Sequence, residues 1–442
     1  MKKMVIALIN FLALVTVCSG NNLSVMQDTA WTLEKCINHA LGQNIQVRKS
    51  ILSNKTSGLY AGQAKAQRFP SLGASVNQNF NWAKSTAPAS GLNGSNGTSY
   101  SVSSGVTLFN YSRINNLIKQ AELDIQSGSY SLETTKESIS LNILNAFLQV
   151  LFAQEQVKNS ERQIESTESQ LNLAGERLAL KAISQADYAQ VRSQLAGEKL
   201  TLANSESQLA IAKVNLMQLM ELPVTADFEI VQPDLGDNIN QKRVPDVRTV
   251  YETALSIKPQ IKNAEVARKI SALDEVIAKA GYYPVLSASA GIGSSYSSII
   301  SDPYFNQVND GIRPNLGLSL AIPIYQRKQV KTSVEVARIN YLNAGLNELD
   351  TKNQLRKDIE QACQDVVSTQ IEYEASMEKY IATNESSLLS DEKFSQGLIN
   401  SVDYLVQKTN LILAESQLLQ SRFNLIFSYK IMDFYMGIPF SL

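Results

Sequence analysis

Residues 105–113 read GVTLFNYSR, and this short strand-like piece opens the segment that decides the fold. No proline occurs between Phe109 and Met220. A heptad line of leucines runs through Leu195, Leu202, Leu209 and Leu216. Such spacing places apolar side chains on one helix face. A helix over 111–178 would be roughly 100 Å long at 1.5 Å per residue, which suits a coiled coil, a tube wall or a long spacer rather than a compact core.

The same pattern occurs twice in the chain. A second heptad line lies at a constant offset from the first, at Leu411, Leu418, Leu425 and Met432. The pair Asp187–Tyr188 returns at that offset as Asp403–Tyr404, whereas the offset between the motifs RFPSLGAS and YYPVLSAS is shorter by two. Because prolines, Asp-Tyr pairs and strand motifs align together, we interpret the chain as a duplication with one two-residue indel. An internal repeat of this kind fixes the architecture.

The first 20 residues have the plan of a secretory signal peptide. Lys2 and Lys3 precede an apolar run that is followed by Cys18-Ser19-Gly20, so we predict cleavage near Gly20. Lipidation at Cys18 is the alternative, although Val17 is bulky where a lipoprotein signal has a small residue.

The remaining cysteines and the net charge narrow the function classes. Cys36 and Cys363 fall at unequal places in the two repeats, which indicates two small buried side chains rather than a redox pair. The 40 basic and 41 acidic residues nearly cancel. The sequence therefore lacks the basic field of a nucleic-acid-binding protein.

Hydrophobic periodicity changes from 3.6 to 2 in four segments, which we predict as strands at about 71–83, 99–109, 285–297 and 312–323. In each segment the even positions are mostly apolar, and the odd positions are small or polar. This length crosses a bilayer when the strand is tilted. Trp82, Tyr100 and Tyr296 lie near the loop ends, where an aromatic girdle is expected. The alternative is a soluble sandwich with one buried face.

Four strands cannot close a barrel, and a membrane-spanning sheet must close because hydrocarbon offers no partner to an open edge. Two chains would supply eight strands, whose interior fills with side chains. Three chains would supply twelve. The sequence thus predicts a barrel shared between copies of the chain and in contact with membrane lipid.

A long helical hairpin follows each strand pair, at about 111–221 and 326–436. We divide the chain into the signal peptide 1–20, a first repeat 21–221, a linker 222–247 and a second repeat 248–442. Gly397 suits the left-handed residue that ends a helix. Lys181 occupies the equivalent place, which predicts a differently built turn in the first half. Ser401 and Asp403 are expected to start the returning helix.

At this point the chain resembles the TolC-like outer-membrane efflux protein family. The resemblance rests on the duplicated order of elements and on the motifs FPSLGAS, YPVLSAS, LAIPIYQRK, FSQGLINSVDYL and MGIP. It implies an α+β membrane protein in which a homotrimer forms a 12-stranded β-barrel, continuous with a periplasmic α-helical tunnel. It also implies location in the outer membrane, and partners in a periplasmic adaptor protein and an inner-membrane pump. Val406 stands where many relatives have a second acid after the residue matching Asp403, which weakens the expectation of an acidic entrance ring.

The helical turns carry the candidate functional residues. We expect Asp187, Tyr188, Asp403 and Tyr404 to form a periplasmic gate. Helix capping is the alternative role for both aspartates, and packing between helices is the alternative for both tyrosines. The adaptor-contact candidates are Arg177, Leu178, Lys181, Ala182, Lys393, Phe394, Gly397 and Asn400.

Catalysis has little support in the sequence. His39 is the only histidine and lies in a predicted helix, and no metal-ligand spacing, phosphate-binding loop or nucleophile elbow occurs. We therefore expect no enzyme activity, no cofactor and no metal. The leading hypothesis is the exit duct of a tripartite efflux pump. The alternatives are the exit duct of a type I protein secretion system and a periplasmic coiled-coil adaptor, although an adaptor would have a single helical hairpin.

Overall fold

The computed structural model describes residues 30–84, 92–223, 228–232 and 246–440. The predicted signal peptide, Cys18 and most of the predicted linker 222–247 lie outside these residues. In chain order the first half contains β1 (Ala30–Trp31), α1 (Leu33–Gln43), α2 (Ile45–Ala66), β2 (Ser71–Lys84), β3 (Leu92–Phe109), α3 (Arg113–Ala179) and α4 (Gln185–Leu219). It is followed by β4 (Glu229–Ile230), α5 (Val247–Ile257), α6 (Pro259–Lys279), β5 (Val285–Ser297), α7 (Tyr304–Asp310), β6 (Arg313–Ala321), α8 (Gln329–Ser395) and α9 (Ser401–Tyr435). The predicted repeat of helix, β-hairpin and helical hairpin is confirmed.

A break between two helices opens each half. Asn44 separates α1 from α2, accepts a hydrogen bond from the Gln46 backbone N–H at 2.8 Å and donates one to the Leu219 carbonyl at 2.9 Å. Lys258 separates α5 from α6, with Pro259 at the first helical position. Side-chain capping and proline at this position both favour a helix start.

The four long strands form one antiparallel sheet in the order β2-β3-β5-β6. The predicted strand at 99–109 is wrong at its start, because β3 begins at Leu92 and pairs with β2 as far as Lys84. Asn and Gly residues that read as a loop in sequence extend the hairpin instead, since Trp82 packs over Gly94. The loop between β5 and β6 contains the unpredicted helix α7.

The long helices begin slightly later than predicted. Each starts after two residues with positive φ, Tyr111 and Ser112 before α3 and Arg327 and Lys328 before α8. These left-handed residues turn the chain from the sheet into the helix, so the helices start at Arg113 and Gln329 rather than at 111 and about 326–327. Each helix has 67 residues, which corresponds to roughly 100 Å.

Two apolar clusters hold the helices together, and the first of them also includes Phe423 and Ile426 from the second half. The first contains Cys36, Phe147 and Leu216, and the second contains Cys363 and Leu425. The predicted burial of both cysteines without a disulfide is confirmed. Burial raises the pKa of Cys36 to about 12, so this thiol is unreactive at neutral pH.

A buried lysine connects the two halves. The Lys258 Nζ atom lies 3.1 Å from the centroid of the Phe434 ring and 3.4 Å from the Glu137 carboxylate of α3. Burial lowers the pKa of Lys258, and the neighbouring Glu137 opposes that shift.

The short strand β4 lies within the predicted linker and pairs in parallel with β1. Within the described parts of the chain, no helix combines the length and apolar character needed to cross a bilayer.

Candidate functional site

The sheet has one apolar and one polar face. The strand register aligns both faces across all four strands, as far as a β-bulge that follows Thr107 in β3. Ala74, Val102 and Ile292 are neighbours on the even face, next to Pro314. Ser75 lies beside Ser101 on the odd face, and their hydroxyls form a 2.8 Å hydrogen bond. The apolar side chains of the even face are open in the single chain: Leu72, Val76, Trp82, Leu316 and Leu318 are each more than 60 % exposed.

The two helical turns lie at the far ends of the hairpins and have the same backbone structure. Lys181 has φ of 57° and Gly397 has φ of 75°. In the first turn the Lys181 N–H donates to the Leu178 carbonyl and the Ala182 N–H to the Arg177 carbonyl. The second turn repeats both bonds with its equivalent residues. This is the Schellman pattern, so the prediction of a different first turn is wrong, and a lysine holds the left-handed position.

Both aspartates after the turns take part in helix caps. Ser184 and Asp187 form a capping box, in which the Asp187 N–H donates to the Ser184 hydroxyl at 3.1 Å. In the second half, the Asp403 N–H donates to Asn400 Oδ1 at 2.8 Å, and Asn400 Nδ2 donates to the Asp403 carboxylate at 2.9 Å. The predicted start of the helix at Ser401 is therefore confirmed, with Asn400 as the capping residue before it.

The two tyrosines have different surroundings. Tyr404 is 2 % exposed, and its ring stacks on Phe394 with 4.5 Å between the centroids. Burial and then a hydrogen bond to Asp391 raise the pKa of Tyr404 far above its ordinary value. Tyr188 is only half-buried and lies beside Gly175. Tyr404 thus belongs to the packing between α8 and α9, and its hydroxyl stays protonated.

Arg177 connects the tips of the two hairpins. Its guanidinium donates to the Phe394 carbonyl at 3.2 Å and to the Ser395 carbonyl at 2.7 Å, and its Cζ atom lies 5.9 Å from the Phe394 ring centroid. These carbonyls are at the C-terminus of α8, where the helix dipole favours a cation. We name this contact between Arg177, Phe394 and Ser395 the tip clasp. The sequence predicts Arg177 as an adaptor contact and does not indicate the clasp. Lys393 occupies the equivalent position of the second repeat, and lysine lacks the planar fork of donors that arginine offers.

A cavity of about 330 Å³ lies between the hairpins beside the tip clasp, lined by Arg177, Asp391, Phe394 and Tyr404. Two predicted residues, Arg177 and Phe394, therefore meet Tyr404 at one place. Asp187 and Asp403 are instead engaged in caps at their own turns.

The outer surface of the tips carries the other predicted residues. The exposed ones are Lys181, Ala182, Lys393, Gly397 and Asn400, whereas Leu178 is half-buried. Large apolar side chains that sequence analysis did not name are also exposed there: Leu180, Leu398 and Val402. In the sequence these three apolar residues stand among the polar residues of the turns, and this contrast could have indicated an exposed apolar surface. Exposed apolar residues grouped in this way are typical of a binding surface.

No group of three or more potential metal ligands occurs among the described residues. His39 packs edge-on against Trp31, with 5.3 Å between the ring centroids.

Comparisons with known proteins identify the family to which the chain belongs. The family model described as outer membrane efflux protein matches residues 36–221 and 250–428, and the chain belongs to this family. The protein is therefore an outer-membrane efflux protein of the TolC-like kind, and it is not an enzyme.

Three similar proteins illustrate the relationship. The outer membrane protein TolC of Salmonella enteritidis is 22 % identical over 403 residues, which span 89 % of this chain and 79 % of TolC. The crystal structure of CusC matches with a TM-score of 0.78 at 15 % identity, over 94 % of this chain and 96 % of that one. The CmeC outer membrane channel of Campylobacter jejuni matches with a TM-score of 0.77 at 16 % identity, over 92 % of this chain and 85 % of that one.

Proposed function

We propose that the protein is the passive exit duct of a tripartite efflux pump and carries small molecules across the outer membrane. The observation that supports this most strongly is the four-stranded sheet with one apolar face, one small polar face and two open edges. The sheet continues into helices of 67 residues, roughly 100 Å long. A barrel above a helical tube would give one continuous passage.

Three copies would complete the barrel. Open sheet edges are not tolerated in hydrocarbon, and the strands of one chain are too few to close. A homotrimer would give a 12-stranded wall, with the exposed apolar side chains toward lipid and the serine- and glycine-rich face toward the lumen. Eight strands from a dimer would leave a lumen filled by side chains.

The helical tips would face the periplasm and meet an adaptor protein, which connects the duct to an inner-membrane pump. The exposed Leu180, Leu398 and Val402 support this docking surface, together with exposed Lys181 and Lys393. An exit duct for type I protein secretion would use the same surface and the same passage. Resistance assays in a strain without its own duct distinguish the two, when the gene is expressed with a neighbouring adaptor and pump.

The resting duct would be closed at the tips. The tip clasp holds the end of α8 against α3, and Phe394 also stacks on Tyr404 of α9. Adaptor binding would open the duct to the extent that the adaptor binds the open arrangement more tightly than the closed one. Asp187 and Asp403 would contribute by holding the turns in shape, and Tyr188 by packing next to Gly175.

The experiment is chemical cross-linking of purified protein from outer-membrane fractions, followed by drug-accumulation assays in cells. We expect a trimer that dissociates on heating, and lower intracellular drug when adaptor and pump are present. Monomers alone after cross-linking, or unchanged accumulation with all three components expressed, would contradict the proposal.

A further inference from the structure

The two outer strands of the sheet each have an unpaired edge within the described chain. β2 pairs only with β3, and β6 pairs only with β5. Each free edge presents backbone N–H and C=O groups that require a partner inside a membrane. We call the junction between β6 of one copy and β2 of the next copy the seam. The residues that face each other across the seam can be derived from the internal repeat.

The observed registers verify the repeat at the level of single residues. Ser71 pairs with Gly105 in the first hairpin, and Val285 pairs with Ala321 in the second. Val285 is the counterpart of Ser71 at the shorter of the two repeat offsets, and Ala321 is the counterpart of Gly105 at the longer one. These are the same two offsets that align the sequence motifs, so both hairpins share one internal register.

The junction between the hairpins supplies the template for the seam. Within the chain Gly105 pairs with Ser289, and Gly97 pairs with Ser297. In a barrel built from six equivalent hairpins, the junction between two chains repeats this junction. The offsets then convert Gly105 into Ala321, and Ser289 into Ser75 of the next chain.

We propose that β6 of one copy pairs antiparallel with β2 of the next copy, with Ala321 opposite Ser75 of the partner subunit and Arg313 opposite Ala83 of the partner subunit. This proposal rests on the trimer proposed above. It gives every residue of β6 a partner, because the nine residues Arg313–Ala321 fall inside the 14 residues Ser71–Lys84. The wall then closes without a gap along β6.

The chemistry of the facing residues agrees with this register. On the apolar face Leu316 meets Phe80 of the partner subunit, a type of cross-strand pair that stabilises sheets. On the polar face Asn315 meets Asn81 of the partner subunit. A slip of one residue would turn every apolar side chain of β6 to the polar face. A slip of two residues would keep the faces, so it must be excluded by experiment.

Disulfide cross-linking across the seam tests the register. The first variant combines Asn315→Cys with Asn81→Cys, and the second combines Leu316→Cys with Phe80→Cys. Directly opposed residues lie about 4.5–5.5 Å apart between Cα atoms, within the range that a disulfide spans. The two variants probe both faces, because successive side chains of a strand point to opposite faces. They also sample one hydrogen-bonded and one non-hydrogen-bonded pair, since these alternate along the strand. Membranes are oxidised with copper phenanthroline, and covalent dimers and trimers are counted on non-reducing gels.

The controls carry the two-residue slips, Asn315→Cys with Asn79→Cys and Leu316→Cys with Gln78→Cys. These diagonal positions lie about 7–8 Å apart, beyond the usual reach of a disulfide. We expect at least a several-fold higher yield of covalent oligomer from the in-register variants. Variants that carry only one of the introduced cysteines are also made. They retain Cys36 and Cys363, so they report any cross-link that involves the native thiols.

The possible outcomes distinguish an error in the seam register from an error in the proposed channel function. A higher yield from a slipped pair would overturn the register and leave the trimer standing. Absence of cross-links in all pairs, in a preparation that still gives a trimer and conducts ions, would also overturn the register alone. Absence of both the trimer and conductance would overturn the proposed function and the register together.

Discussion

A charge on the lipid-facing side of β6 should prevent barrel assembly, and the change Leu318→Arg tests this. Leu318 lies opposite Ala288 near the middle of the strand pair and is 73 % exposed in the single chain. An arginine at the bilayer midplane costs roughly 2–4 kcal/mol per chain. Because a trimer has three such positions, the penalty would be about 6–12 kcal/mol per trimer. The assay is the fraction of trimer that survives stepwise heating on semi-native gels.

The adjacent change Ser319→Arg is the matched control. Ser319 lies opposite Ser287 on the polar face, so its arginine would face the lumen and remain hydrated. We expect this variant to assemble as wild type and to conduct with altered ion selectivity. Equal loss of trimer in both variants, or loss only in Ser319→Arg, would refute the assignment of the two faces.

Three further predictions concern the tips. Lys181→Gly should stabilise the first turn by roughly 0.5–1 kcal/mol, measured by hydrogen exchange, since glycine adopts positive φ without strain. Gly397→Ala should destabilise the second turn, and unchanged exchange in both variants would contradict backbone strain at these turns. Arg177→Ala should raise resting conductance, because it removes the hydrogen bonds of a charged group. Such bonds contribute roughly 1.5–3 kcal/mol when buried, and less here because the Arg177 side chain is partly exposed. Arg177→Lys should restore the closed state only in part, and full restoration would contradict a bidentate clasp. Asp403→Ala combined with Tyr404→Phe should raise permeability to large antibiotics without loss of trimer, whereas loss of export at unchanged conductance would assign both residues to folding or adaptor docking.

Periodic patterns predicted most of the fold. The alternation from Leu72 to Trp82 defined a strand face because each step of two returns a side chain to the same side. The recurring leucines and the internal repeat defined the helical hairpins in the same way. The repeat was decisive because it let weak motifs, such as the two Asp-Tyr pairs, support each other.

The sequence was less informative where side chains meet across distant segments. Arg177 and Ser395 are far apart along the chain, with a sequence separation of 218 residues, and no local pattern indicates that a guanidinium caps another helix. Lys181 was misread because propensity favours glycine at positive φ, whereas the turn's hydrogen bonds hold a lysine there. The start of β3 at Leu92 was missed because Asn and Gly residues are typical of loops, although pairing with β2 keeps them in the sheet.

Single-channel recording of the purified trimer in a planar bilayer shows whether the protein forms a passage that is closed at its helical tips. We expect discrete, long-lived conductance steps, small for the wild type and larger for Arg177→Ala, in which the tip clasp is removed. Leu318→Arg should give no steps, since its barrel does not assemble. Absence of steps in both the wild type and Arg177→Ala, from protein shown to be trimeric, would contradict a continuous passage through the barrel and the helical tube.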